Sequence, residues 1–570
     1  MQKTIFLIST LLLLACALIP NAGAQPGLSQ TRDSIGVFTD RSLYITGENI
    51  LFSAFAIEVE ELSTGPVSRI LYTELISPSG VKHAAGKYLT EGNRWSGSLA
   101  IPSNLITGLY YFKSYTKMMR NEGPQVYSFI PIKIINPART EVLNSLNESA
   151  GNFPLVPESN LSASQPVQIL IECRDTLARA RDSLIVRISA GGALGREKAN
   201  CCLSIIPLEA GSGSKANIKP IVENLHIGSG FLPETRGLSL SGLVKDQISG
   251  KPIPSDRVHL SIMGQVKDYL SVMTDSAGRF YFPLPPLEGK RDIFIFAEDK
   301  DGKQAVIQVD NDFCTERIQL PSAPFSLTEQ EEMRALELAR NEQIIRNYGL
   351  GKNDQVETPY ADTLSFYGSP TSVINLDKYI QLPSLEEYIN EFLPEVRIRK
   401  QDGKKHFMIF GAHSELSIYP PLVLIDWISV PEASKILAIS PERISRIEIV
   451  NTPYIKGDMI YGGIVSIVSR KRDFAGIDLT SSGLFIRFMF LENSQQDTIL
   501  QEPVSNVPSV RNTLYWNPYI LINPGKTVER TILLGDSPGK YIITCKGYTT
   551  GGREIYGSGT FTIGRFQKPE

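Results

Sequence analysis

The 570 residues are long enough for several domains, and their charge is balanced, with Lys+Arg 57, Asp+Glu 60 and a net charge of −3. That balance offers no electrostatic case for a nucleic-acid partner. Gly 45 and Pro 36, set among short runs of Val, Ile, Tyr and Phe, predict many strands joined by tight turns rather than long helices.

Residues 1–24 read as an export signal. Lys3 supplies the charge, "IFLISTLLLLACALI" the apolar core, and Ala22-Gly23-Ala24 a small-residue cleavage site before Gln25. The apolar run is shorter than the roughly 20 residues of a membrane-spanning helix. Cys16 stands where a lipoprotein signal places its lipidated cysteine, but Leu14 is bulky where a small residue is usual, so cleavage between Ala24 and Gln25 is expected. No later segment is long and apolar enough to span a membrane as a helix. The expected location is exported, periplasmic or associated with the outer membrane.

In chain order, 36–137 alternates apolar and polar residues around turns, as in "VFTDRSLYITGENILFSAFAIE", and predicts an antiparallel sandwich. Residues 138–165 are rich in Asn, Ser and Pro and read as a linker. Residues 160–210 predict a second, smaller sandwich. Residues 236–313 predict a third, with Gly250 and Gly278 at turns and Phe280 and Phe282 on one strand face. A helix is expected over 326–348, capped by Ser326 with Glu329 and ended by Gly349, packing through Met333, Leu336, Ile344 and Tyr348. Residues 375–475 predict an α+β unit. Residues 483–570 predict a terminal immunoglobulin-like sandwich, with "GLFIRFMFLE" (483–492) among its first strands. The fold class is therefore mainly β and multidomain.

Several of these segments resemble known families. Thr39-Asp40-Arg41, Tyr44, Gly47-Glu48, Ile101-Pro102 and Gly108-Leu109-Tyr110 resemble the macroglobulin-type domains of alpha-2-macroglobulin, and the terminal segment is similar to the sandwiches of the same chains. Gly242, Asp246, Gly250-Lys251-Pro252, Thr274-Asp275 and Gly278-Arg279-Phe280 resemble the carboxypeptidase regulatory-like domain, a seven-stranded transthyretin-like sandwich. Residues 375–475 resemble the plug of TonB-dependent outer-membrane receptors, with Asp426, Pro453, Tyr461, Gly462 and Gly463 at the matching positions. Trp427 stands where the plug pattern has glycine, which leaves the form of that turn open. In those receptors the plug sits inside a barrel of about 22 strands. At about 9–11 residues per strand, such a barrel exceeds the 99 residues after Lys471, so the resemblance implies a plug-like module without its own barrel. Its strands "PPLVLID", "ISRIEIV" and "GIVSIVS" are expected in one mixed sheet, with Ile447, Ile449, Ile464 and Ile467 in the core.

Chemistry is sparse. Gly535-Asp536-Ser537-Pro538-Gly539 matches a nucleophile elbow, but a strand rather than a helix follows and no histidine comes after His413, so a β-turn in a hairpin is expected. The other histidines, His83, His226, His259 and His406, are scattered without zinc spacing. "GLGKN" (349–353) is no phosphate loop, and Asp299, Asp301, Asp310 and Asp312 read as turn residues before calcium ligands. Cys173, Cys201, Cys202, Cys314 and Cys545 lack both C-x-x-C and the macroglobulin thioester motif, and buried thiols are expected, although export would permit a Cys173 disulfide with Cys201 or Cys202. No catalytic residue, metal or cofactor is expected. Three functions remain, in this order: a non-enzymatic envelope protein that binds other envelope proteins; an accessory of TonB-dependent transport that associates with a separate outer-membrane barrel; and, last, a hydrolase.

Overall fold

A computed structural model of the chain describes residues 33–57, 68–143, 166–174, 176–211, 218, 220–223, 230–298, 304–322, 324–348, 365–401, 403–492 and 507–564. The signal segment, with Cys16, Ala24 and Gln25, lies outside them, as do His226, Asp299, Asp301 and "GLGKN". The fold is mainly β. Among the described residues no helix is long and apolar enough to cross a membrane.

The first sandwich packs a three-stranded sheet (Ile35–Thr39, Asn49–Ala56, Arg94–Ala100) on a five-stranded one, ordered Leu43–Ile45, Ser128–Ile135, Gly108–Thr116, Ile70–Ile76, Lys82–Leu89. Phe52, Tyr88, Trp95 and Phe112 fill the space between them. Strand Ile70–Ile76 is buried along its whole length. A half-buried strand would alternate, so both faces of this sheet are covered.

The cover is the central sandwich. Its sheets are Arg279–Pro283, Ser239–Asp246, Ala305–Val309, and Asp268–Met273, Arg257–Ile262, Lys290–Ala297, Leu484–Met489. One continuous apolar core runs through the first and central sandwiches. Strand Leu484–Met489, expected in the terminal sandwich, instead pairs antiparallel with Lys290–Ala297. Phe488, Phe490 and Leu491 explain the choice, since all three bury in that shared core.

The segments 160–210 and 483–570, expected as two separate sandwiches, contribute to one. Ser183–Ser189 pairs with Thr527–Leu533, and Ala199–Pro207 lies between Tyr515–Ile522 and Gly539–Thr549. The short early segment cannot close a core alone and completes it with strands from the far end of the chain.

The long helix spans Glu329–Asn347. Thr328, not Ser326, caps it, in a reciprocal capping box with Glu331. Its buried residues are Ala335 and Leu338, packed on Leu43 and Ile45. Met333 and Leu336, expected to pack, are 58% and 69% exposed, and Tyr348 is exposed too. Polar anchors set this rotation: Glu331 pairs with Lys133 and Arg334 with Glu209, which turns the small Ala335 toward the sandwich.

The last unit holds a five-stranded mixed sheet ordered Ser372–Asn375, Ile444–Val450, Ile464–Ser469, Leu422–Ile425, Ile428–Ser429. Leu422–Ile425 runs parallel to Ile464–Ser469, and the other pairs are antiparallel. The short helices Leu385–Phe392 and Ala433–Leu437 cover one face. A two-stranded ribbon, Val396–Gln401 with Lys404–Ile409, flanks them.

Candidate functional site

The residues singled out in the α+β unit gather around the mixed sheet. Ile447, Ile449 and Ile467 point to the helical face and Ile464 to the other, and all four are fully buried. Each such side chain contributes about 1.5–3 kcal/mol by leaving water. The alternation of strand side chains puts Ile464 opposite its neighbours.

Gly462 and Gly463 lead into strand Ile464–Ser469. A Cβ on Gly462 would stand 2.1 Å from the Tyr419 carbonyl oxygen. Gly463 has φ +86°, and its Cβ would meet the Val450 carbonyl oxygen at 2.4 Å. Neither position accepts a side chain. Pro453 is half-buried, just before the hairpin Tyr454–Lys456 with Met459–Tyr461.

Asp426 and Trp427 form the two-residue turn between Leu422–Ile425 and Ile428–Ser429, with φ 44° and 70°. Positive φ at both residues is the pattern of a type I′ turn, for which the second residue is usually glycine. A bulky residue there costs on the order of 1–3 kcal/mol. The indole is held in compensation between Lys267 Nζ, 3.7 Å from the ring centre, and Arg472, at 4.9 Å. Cation–π contacts of this kind contribute about 0.5–2 kcal/mol each. Among the described residues its buried Nε1–H has no acceptor. Asp426 is also buried, accepting from Ser469 N–H at 2.8 Å, Ser469 Oγ–H at 2.5 Å and Phe474 N–H at 2.9 Å.

Tyr461 joins the mixed sheet to the central sandwich. Its hydroxyl lies 2.9 Å from that of Tyr269 and 3.2 Å from Ser271 Oγ. Tyr269 meets His259 Nδ1 at 2.6 Å, and His259 Nε2 meets Glu298 at 2.9 Å. The chain Glu298–His259–Tyr269–Tyr461 thus crosses the junction inside a cluster containing Phe366 and Tyr454. Burial pushes the His259 pKa down and that of Tyr269 well up, so both are neutral near pH 7. Lys456 and Asp268 add an ion pair at 2.5 Å. His259 and Tyr269 lie on two ordinary neighbouring strands, Arg257–Ile262 and Asp268–Met273, with Lys267 on the approach to the second, and nothing local in the sequence marks them.

The motif Thr39-Asp40-Arg41 with Tyr44 and Glu48 forms a second polar junction. Arg41 pairs with Glu48 at 2.9 Å, and Tyr44 donates to Asp40 at 2.7 Å. Thr513 and Asn512, near the start of strand Tyr515–Ile522, also bond to Asp40 and Glu48 respectively. The motif therefore ties the first sandwich to the terminal one, with the long helix joined through Asn512 and the Leu338 carbonyl.

Ser537 lies in segment 534–538, which crosses from one sheet of the terminal sandwich to the other. It is not the hairpin turn expected, because Thr527–Leu533 and Gly539–Thr549 pair with different partners. Arg181 engages Asp536 through Nε and Nη2, and strand Gly539–Thr549 follows. Asp310 binds Ser241 and Arg279, and Asp312 binds Lys87 and Lys117. Among the described residues no group of three or more His, Cys, Asp or Glu is placed to hold a metal. The five described cysteines are free thiols, with Cys201, Cys202 and Cys545 buried. Cys201 and Cys202 face opposite sides of their strand.

No family model matches the chain, and no curated protein does. Similar solved structures include methylamine-reacted Salmonella alpha-2-macroglobulin, at 8% identity and TM-score 0.22, covering 94% of this chain and 39% of that one. Trypsin-activated alpha-2-macroglobulin from Escherichia coli matches at 9% identity and TM-score 0.22, over 94% and 41% of the two chains. The Escherichia coli adhesin FdeC matches at 9% and TM-score 0.15, over 51% and 66%. The chain thus spans about two fifths of the length of the macroglobulins it matches.

Proposed function

We propose that this chain is an exported, non-enzymatic scaffold of β-units that binds other proteins of a bacterial envelope, in the periplasm or at the outer membrane, with the mixed-sheet unit as its binding head. The sequence resemblances support macroglobulin-like, regulatory-like and plug-like origins for 36–137, 236–313 and 375–475. The observation that carries the reading is the junction at Tyr461. The face of the mixed sheet opposite its helices is closed by Tyr269 of the central sandwich. The unit is thereby presented on a support, with Ile380, Ile418 and Ile455 at 76%, 69% and 66% exposure on its outer loops, helix end and hairpin.

The same junction weighs against the accessory-transport alternative in its strongest form. A unit seated inside a separate barrel would have to give up Tyr269, Ser271 and the Lys456–Asp268 pair, and expose apolar surface on the central sandwich. Contact through exposed loops needs none of this.

The reading is tested with a photo-crosslinking amino acid placed at Ile380, Ile418 or Ile455 in growing cells, and at exposed Leu177 of the terminal sandwich as control. Adducts with envelope proteins are expected from the first three sites and not from Leu177. Adducts from Leu177 alone, or from none of the four, overturn it.

A further inference from the structure

The ribbon Val396–Gln401 with Lys404–Ile409 has an unusual charge pattern. Between 397 and 406 stand Arg397, Arg399, Lys400, Lys404, Lys405 and His406, against the single acid Asp402. The register sets Lys400 directly across from Lys405, one position from Arg399. Like charges in directly opposed positions destabilise a strand pair. Both faces of the ribbon tip are cationic, because adjacent residues of a strand point to opposite sides. Among the described residues the one carboxylate within ion-pair reach is Glu386, 2.5 Å from Lys405. Arg397 and Arg399 lean toward the Phe410 ring instead, at 5.3 and 5.9 Å.

A charged edge strand commonly serves to prevent aggregation, and Lys is often used for it. That role gives no reason to set Lys400 directly against Lys405 in a ribbon that carries five lysines and arginines. The repulsion is relieved when an anionic partner lies along the tip. The pairing supplies a way to hold one, since among the described residues strand Val396–Gln401 pairs on one side only, in a two-stranded sheet.

We propose that this ribbon docks an acidic, extended segment of a partner polypeptide, added along strand Val396–Gln401 with its carboxylates on the face of Arg397, Arg399 and Lys404. The backbone of the added strand supplies affinity and the cations select for acidic side chains. A lipid surface fits less well. Residues 399–406 carry no apolar side chain to enter a bilayer, and cations on both faces of the tip cannot all meet one plane. The proposal rests on the binding role proposed above and names the partner chemistry for it.

The test uses the full-length mature chain and a fluorescent peptide of alternating Glu and Val, read by anisotropy. Binding is expected at about 50 mM salt and should weaken at least tenfold at about 300 mM. The double variant Arg399→Glu with Lys404→Glu should bind at least about tenfold more weakly. The neutral pair Arg399→Gln with Lys404→Gln should fall between, and a peptide of alternating Lys and Val should not bind. Both variants change exposed side chains, and an unchanged melting temperature verifies the fold. Peptide binding that ignores either variant overturns the proposal. So does binding of phosphatidylglycerol vesicles that requires the same residues and displaces the peptide. If peptide binding fails while adducts at Ile380, Ile418 or Ile455 persist, the ribbon assignment falls and the binding role stands. Loss of those adducts in cells removes the role itself.

Discussion

Two junctions hold the central sandwich to its neighbours, and they are built from opposite materials. Toward the first sandwich the contact is charged and deep. Lys117 lies 3.6 Å from Glu234 and 3.5 Å from Asp312, Lys87 reaches Asp312 at 2.5 Å, and Tyr72 donates to Glu234 at 2.9 Å. Apolar side chains from both units surround this network in one continuous core. Toward the mixed sheet the buried centre is neutral, hydroxyls and one imidazole beside smaller apolar clusters, with the charges of Glu298, Lys267 and the Lys456–Asp268 pair around it. Buried ions tolerate no loss of a partner, whereas neutral hydroxyls can exchange one another for water at modest cost. The first junction therefore makes two sandwiches into one body, and the second attaches a head that can be loosened separately.

Substitutions can break this contrast at either side. Ile449→Asp buries an unpaired charge in the helical core of the mixed sheet and should cost about 5 kcal/mol. Calorimetry should then show the head melting alone while the sandwich transition stays in place. Glu234→Ala leaves Lys117 only Asp312 as a carboxylate partner and takes the acceptor from Tyr72, and should cost about 3 kcal/mol, seen in denaturant unfolding as one shifted transition for both sandwiches. Tyr461→Phe removes only the hydroxyl and should cost about 1 kcal/mol, confined to the head.

Acid sharpens the comparison further. Burial holds the folded His259 pKa below its ordinary 6.5, so the unfolded chain takes up the proton first. The stability contributed by neutral His259 is complete above pH 6.5 and is lost as pH falls from there toward the folded pKa. Melting temperatures at pH 7.5 and 5.5 should differ less in His259→Gln than in the parent chain. Ser537→Ala, remote from both junctions, should stay within about 0.5 kcal/mol of the parent, and Ser537 should resist fluorophosphonate labelling.

What could be read from the sequence follows from the range of the forces involved. The strands of the mixed sheet announce themselves as apolar runs, and the two glycines before Ile464 mark a place where backbones touch. The turn at Asp426 is legible as a turn, but its tolerance of Trp427 depends on Lys267, which arrives from another unit. The helix misleads for a related reason. Its sequence carries two apolar stripes, and the choice of Ala335 and Leu338 over Met333 and Leu336 is made by ion pairs to Lys133 and Glu209. Strand Leu484–Met489 looks the same wherever it pairs, so its partner in the central sandwich is invisible until the whole core is assembled. Local alternation records which residues are buried, not what buries them.

The return of the chain to units it began earlier has a consequence in time. The central sandwich waits for strand Leu484–Met489, which follows the entire mixed sheet, and the terminal sandwich waits for strands that come later still. Neither can close as it emerges from the ribosome, because contacts so distant in sequence form slowly and only when both ends are present. The nascent chain stays open for longer than a string of independent beads would.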